Sequence, residues 1–258
     1  MFRPFLKSLI VLITSLLIVS CVLTKRIKDG SMAFELRQYS VAVELLENEY
    51  QSAREEQTLA RIAYTIGESY WQMGEVALSI PWYEKAHSHD FGPRAIEKKA
   101  FALKHLENYQ GAVELFTRLL SQGTQIDLYR REIAICRLAS DWILDPNKSY
   151  EVKKTYFNSR ESDYSPYFLN DHQVFFSSDR NNSSSQKVYN WTGRGYSDLY
   201  MYDKNTGNVS FLDPIINTDS NEGTLSFNDQ GSILYFTRCY TEAESDDSQK
   251  KGCQPATS

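Results

Sequence analysis

Catalytic signatures are missing from this chain: no G-x-S-x-G elbow, Walker loop, H-E-x-x-H or G-x-G-x-x-G occurs in its 258 residues. Nucleophilic acyl transfer, phosphate cradling, zinc hydrolysis and dinucleotide binding are therefore not signalled, and no side chain pairs a nucleophile with a base. A basic block is missing too, and the net charge of −5 argues against a nucleic-acid partner. Histidine is scarce, at four. His87 and His89 stand as H-x-H, yet no carboxylate or third histidine lies at ligand spacing, and both fall at an expected helix C-terminus, where the dipole favours them. The run Asp219-Ser220-Asn221-Glu222-Gly223 is a poor Ca²⁺ loop. Its glycine comes one position early, and Gln230 stands where a bidentate Glu belongs. The sequence thus assigns no catalytic residue, no metal and no cofactor, and reads as a non-enzyme.

Cysteine is equally sparse, at four, and each has its own reading. Cys136 lies on an apolar helix stripe, where a thiol packs as a small hydrophobe. Cys239 and Cys253 flank a polar loop and form a disulfide candidate in an oxidising compartment, the alternative being two free thiols. Zinc would need two further ligands nearby. Cys21 closes an N-terminal segment in which Arg3 and Lys7 precede an apolar run over residues 8–19. That run is short for a span of about 20 residues and has the length of a signal-peptide core. With Ile18-Val19-Ser20 before it, Cys21 resembles the acylated cysteine of a bacterial lipobox. The resemblance implies a signal peptide at 1–20, a lipid-bearing linker at 21–30, and anchoring by acyl chains; the alternative is a membrane helix that merely contains a cysteine.

Residues 31–145 lack strand patterning and repeat at 33 to 34 residues. Gly67, Ala100 and Ala134 occupy one small-residue position, Ser79 and Ala112 a second, Tyr83 and Phe116 a third, and Tyr70 follows Gly67 by three. Gly74 marks a turn and Pro93 opens the next unit. This pattern resembles the tetratricopeptide repeat, in which small residues let paired helices approach and aromatic residues fill the gap. It implies two clear units and two partial ones, the last a capping helix, with a concave face that holds a protein partner. A charged connector follows at 146–160.

Residues 161–258 are read as β. Asn158 and Asn217, and likewise Phe168 and Phe227, are 59 residues apart, so two copies of a strand–turn–aromatic strand stay in register. Asp198-Leu199-Tyr200-Met201-Tyr202-Asp203 and Val209-Ser210-Phe211-Leu212 complete four strands in the first copy. Gly193-Arg194-Gly195 and the run 181–185 read as flexible loop tips. Ser165-Pro166-Tyr167-Phe168, Phe176-Ser177-Ser178-Asp179-Arg180 and the strand at 198–203 resemble WD-like propeller repeats of the TolB type. The resemblance implies about one blade and part of a second, hence a piece of a longer protein. An incomplete propeller is expected to leave an uncovered apolar face carrying Phe175, Phe176, Tyr235 and Phe236.

The whole order, lipobox then tetratricopeptide units then TolB-like blades, resembles the PorE-like group of Bacteroidetes envelope lipoproteins of the type IX secretion system. That resemblance implies a periplasm-facing outer-membrane scaffold with protein partners. Peptidoglycan would be a partner only through a further C-terminal domain. Two competing readings are the propeller portion of a prolyl-oligopeptidase-like hydrolase and a surface receptor for peptide or glycan.

Overall fold

Seven helices precede all the strands in the computed structural model, which describes residues 27–180 and 188–239 and the backbone of 253–257. They are α1 (Gly30–Glu35), α2 (Tyr39–Ser52), α3 (Glu56–Gln72), α4 (Val76–Ser88), α5 (Pro93–His105), α6 (Tyr109–Leu120) and α7 (Ile126–Leu144). Each packs chiefly on its neighbours in sequence, so the helices form a stack of antiparallel pairs followed by a single helix.

Four turns of this stack share one backbone solution. Arg37, Gly74, Asp90 and Glu107 have φ of 58°, 81°, 61° and 61°, and the residue after each donates its amide five residues back: Gln38 to Ala33, Glu75 to Tyr70, Phe91 to Ala86 and Asn108 to Leu103, all at 2.9 Å. This is the left-handed helix stop that glycine favours. Arg37 and Glu107 adopt it against their side chains' preference, at roughly 1 kcal/mol each.

Packing inside each pair follows one rule, a small residue on the first helix against a large one on the second. A β-carbon at Gly67 would lie 2.7 Å from the Tyr83 ring, and one at Gly30 would overlap Leu46. Ala100 and Phe116 share one buried cluster with Ala112, Tyr129 and Cys136. Tyr83 and Phe116 are fully buried. Gly30, missed in the sequence, is thus the first member of the small-residue series.

The β region consists, among the described residues, of β1 (Asp163–Phe168), β2 (Gln173–Ser178), β3 (Val188–Tyr189), β4 (Arg194–Gly195), β5 (Asp198–Asp203), β6 (Asn208–Phe211), β7 (Asn221–Phe227), β8 (Leu234–Cys239) and β9 (Cys253–Thr257). They pair as a four-stranded antiparallel sheet β1-β2-β5-β6, a hairpin β3-β4, and a three-stranded antiparallel sheet β7-β8-β9. The chain is therefore α followed by antiparallel β.

The 59-residue repeat is built into the backbone. Register shifts interrupt β1-β2 between Tyr164 and Tyr167, and β7-β8 between Gly223 and Leu225. Each shift centres on a non-glycine residue at positive φ, Ser165 at 52° and Thr224 at 44°. These are bulges that bend the first strand of each copy.

The expected uncovered aromatic face is not what forms. Phe175, Phe176 and Phe236 are buried, and only Tyr235, at 41% exposure, faces outward. The reason is two-sided cover. On one side the sheets pack against each other, with Phe175, Leu199, Leu225, Leu234 and Phe236 in one cluster. On the other, Phe157 leaves the connector and lies over Phe176 and Tyr202, at ring separations of 5.1 and 4.9 Å. A connector residue thus closes the outer face of the first sheet.

Candidate functional site

The two halves meet at the β3-β4 hairpin, where sequence reading expected a flexible tip. Instead, the tip is pinned to the helix turns. Asn190 accepts from the Ser40 amide at 3.1 Å and from the Ser40 hydroxyl at 2.9 Å, while its side-chain amide donates to Gln38. Trp191 stands edge-on to Tyr39 at 5.3 Å, beneath the Arg37 guanidinium, and donates its indole N–H to the Gln72 carbonyl at 3.2 Å. Arg194 bonds Glu75 at 2.6 Å and lies 3.6 Å from Asp179 at the end of β2, so one cation ties the α3–α4 turn to the sheet. Gly193, at φ +74°, packs where a β-carbon would come 3.1 Å from Ser40. The positive-φ turn residues seen above, Arg37 and Gly74, border this seat.

A second surface is built by α3, α5 and α7, the first helices of successive pairs. Lys98 of α5 donates to Glu68 of α3 at 2.8 Å, and Glu68 also accepts from the Tyr83 hydroxyl at 2.7 Å. Tyr129 of α7 donates to Glu97 of α5 at 2.6 Å, and Lys104 bonds Glu132 at 2.6 Å. Burial and the facing carboxylates push the Tyr129 hydroxyl up to about 12 and the Tyr83 hydroxyl higher still. These phenols act as hydrogen-bond donors, not as acids. The ladder opens into a cleft of about 360 Å³ lined by Pro93, Arg94, Glu97, Thr124, Gln125 and Tyr129. Such a cleft offers one guanidinium, one carboxylate and an aromatic wall to an extended polar segment.

A buried polar arrangement recurs in the two β copies. Ser159 donates its amide to Asp163 at 2.5 Å, and Asp163 meets Arg180 at 2.5 Å, which also reaches the Phe157 carbonyl and the Ser178 hydroxyl. Fifty-nine residues on (58 for the arginine), Thr218 donates to Glu222, Glu222 meets Arg238 at 2.7 Å, and Arg238 reaches the Ile216 carbonyl. In each copy an acid and an arginine clamp the entry turn to the sheet. Burial works to raise the Asp163 carboxyl, but donors from Arg180, Ser159 and Ser178 outweigh it and hold it low.

Asp198 has no such partner. It heads β5 opposite Ser178, is fully buried, and neither carboxylate oxygen meets a donor among the described residues. Burial, then the neighbouring Glu222 and Asp219, push it up to about 7. A buried carboxylate without a cation takes a proton instead.

The residues singled out from sequence divide accordingly. Gly67, Tyr70, Tyr83, Ala100, Ala112 and Phe116 all fall within the helical stack: Tyr70 bonds Glu47, and the others line the helix-pair contacts. Cys21 lies outside the described residues. Cys239 is disulfide-bonded, and Cys253 stands directly opposite it in the β8-β9 register. Cys136 is a buried free thiol, its pKa raised by burial. Both ring nitrogens of His89 are occupied, by Tyr50 at 2.8 Å and Glu56 at 2.5 Å. Among the described residues no cluster of three or more His, Cys, Asp or Glu is arranged to hold a metal, and no helix is long and apolar enough to cross a membrane. The hairpin seat and the acid–arginine clamps escaped the sequence reading. The only signal for the clamps was the coincidence of Asp163 with Glu222 at the 59-residue spacing. No protein-family model matches this chain, and no curated protein is significantly similar to it.

Proposed function

We propose that this chain is a non-enzymatic scaffold of the bacterial envelope, anchored through an acylated Cys21. Tetratricopeptide-type helices and TolB-type propeller strands hold separate protein partners in a fixed relative orientation, as in the PorE-like lipoproteins of type IX secretion. The observation that carries this reading is the hairpin seat. A protein that needs only one binding module has no use for an indole, a guanidinium and a backbone pair tying helices to sheet. The ladder on α3, α5 and α7, with its cleft at Arg94 and Glu97, is the surface offered to a partner segment, in keeping with how helical stacks bind.

The test is made in the native envelope. A photo-crosslinking residue at Arg94 is expected to trap a protein partner, and Glu97→Lys is expected to abolish the adduct. The same residue at Gln110, exposed on α6, traps nothing. Labelling with a radioactive fatty acid is lost in Cys21→Ser. Equal trapping at both positions, or none, removes the scaffold reading; labelling that survives in Cys21→Ser removes the anchor.

A further inference from the structure

The helix pairs leave one surface unfinished. In α1–α2, α3–α4 and α5–α6 a small residue of the first helix is covered by a large one of the second, at Gly30–Leu46, Gly67–Tyr83 and Ala100–Phe116. The fourth member of the series, Ala134 on α7, is exposed. Around it α7 turns Ile135, Leu138 and Trp142 outward, at 39%, 49% and 65% exposure. Its opposite face buries Tyr129, Ile133 and Cys136 against α6. The open stripe runs at the i, i+3, i+7 spacing of a helix that expects another helix beside it. It continues the stacking interface that joins α6 to α7.

The stripe is complementary to itself. Placing a second α7 antiparallel, with the two-fold axis at Leu138, sets residue i of one helix opposite residue 276 − i of the other, since 138 is its own partner. Ala134 then faces Trp142 of the second copy, a small residue against a large one, repeating the rule of the stack. Arg131 faces Asp145, and the symmetry makes both pairings twice. Arg131 is free to turn toward it: its side chain is 65% exposed, and among the described residues its one ion pair, with Glu132, is a 3.4 Å contact. A helix of unrelated sequence would satisfy the apolar stripe alone. The size and charge pairings favour a second copy.

We infer that this protein forms a two-fold dimer through α7, with Leu138 on the axis. Each copy supplies the helix that the other's stack lacks. The dimer presents two hairpin seats and two clefts in one assembly. It rests on a single helix pair, so its dissociation constant is expected in the micromolar range, about 1–100 µM.

The test uses the full chain in mild detergent. Sedimentation equilibrium is expected to show a monomer–dimer equilibrium. Trp142→Glu, an exposed position that leaves the fold intact, weakens it at least about tenfold. Arg131→Glu weakens it about fivefold by reversing both ion pairs, and adding Asp145→Arg restores it. Leu138→Cys cross-links to itself on oxidation, because residues on the axis meet. Asp127→Cys does not, since eleven helical residues from the axis place its two copies roughly 33 Å apart. A monomer throughout the micromolar range overturns the inference. So does a dimer indifferent to Trp142→Glu, one that charge reversal does not restore, or one that fails to cross-link at Leu138. Capture of a different protein's helix on this face, with the chain itself monomeric, overturns it equally.

Discussion

Gly67 shows how little room the stack leaves at the level of single atoms. A β-carbon there meets the Tyr83 ring at 2.7 Å, and Tyr83 is fixed by its bond to Glu68, so the ring cannot swing aside without breaking a buried hydrogen bond. Gly67→Ala is expected to cost about 1–3 kcal/mol in urea unfolding, although alanine is the better helix former; a neutral or stabilising effect would mean that the pair opens easily. Asp198 sets the opposite problem, a group present and unsatisfied. Its carboxyl is raised from 3.8 to about 7, so the folded state binds a proton that the unfolded state has released. The stability it allows is full below about pH 4 and is lost as pH rises through 7, by up to about 4 kcal/mol. Asp163, held low, acts in the other direction: its contribution is present above pH 4 and lost in acid. Asp198→Asn should therefore raise the melting temperature at pH 8 and leave it nearly unchanged at pH 4. An equal shift at both values would show that Asp198 is not protonated in the fold.

Among the elements, the long ones were legible and the short ones were not. Helices announce themselves through Gly67, Ala100 and Ala134 at a spacing of 33 to 34, and the strands through the aromatic run at 174–176 and the alternation at 198–203. The β3-β4 hairpin has two residues per strand, too few to show any period. Its contacts reach residues 119 to 152 positions away, beyond any local signal, and its glycines read as looseness when Gly193 in fact serves close approach to Ser40. The covered aromatic face was missed for a similar reason. Phe157 lies in a charged connector, and nothing in its neighbours marks it as the cap of Phe176 and Tyr202. Trp191→Ala combined with Arg194→Ala removes the indole donor and the Glu75 pair together. The Ser40 amide, which donates to Asn190, should then exchange with deuterium at least tenfold faster, as expected for loss of more than about 1.4 kcal/mol of local protection. Unchanged exchange would show that the helix turn does not depend on the hairpin.

At the scale of the molecule, the repeats explain cohesion within each half, and the hairpin explains cohesion between them. Helix stacking is a nearest-neighbour affair, and the two sheets bury their aromatic residues against each other and under Phe157. Neither half needs the other to complete its core, so a fixed mutual orientation is a separate property, supplied by Asn190, Trp191 and Arg194. The sequence carried the α-then-β order and the repeat lengths because those rest on periodic burial. It did not carry the junction, which rests on a few polar contacts between distant residues. The central claim is that the hairpin makes one rigid frame of two binding surfaces. The most direct measurement is the distance distribution between spin labels at two exposed positions, Gln110 on α6 and Thr206 in the β5-β6 turn, by pulsed electron resonance. The account predicts a single narrow distance in the native chain that broadens when Trp191 and Arg194 are both changed to alanine. A broad distribution in the native chain, or a narrow one that survives the double substitution, would contradict it.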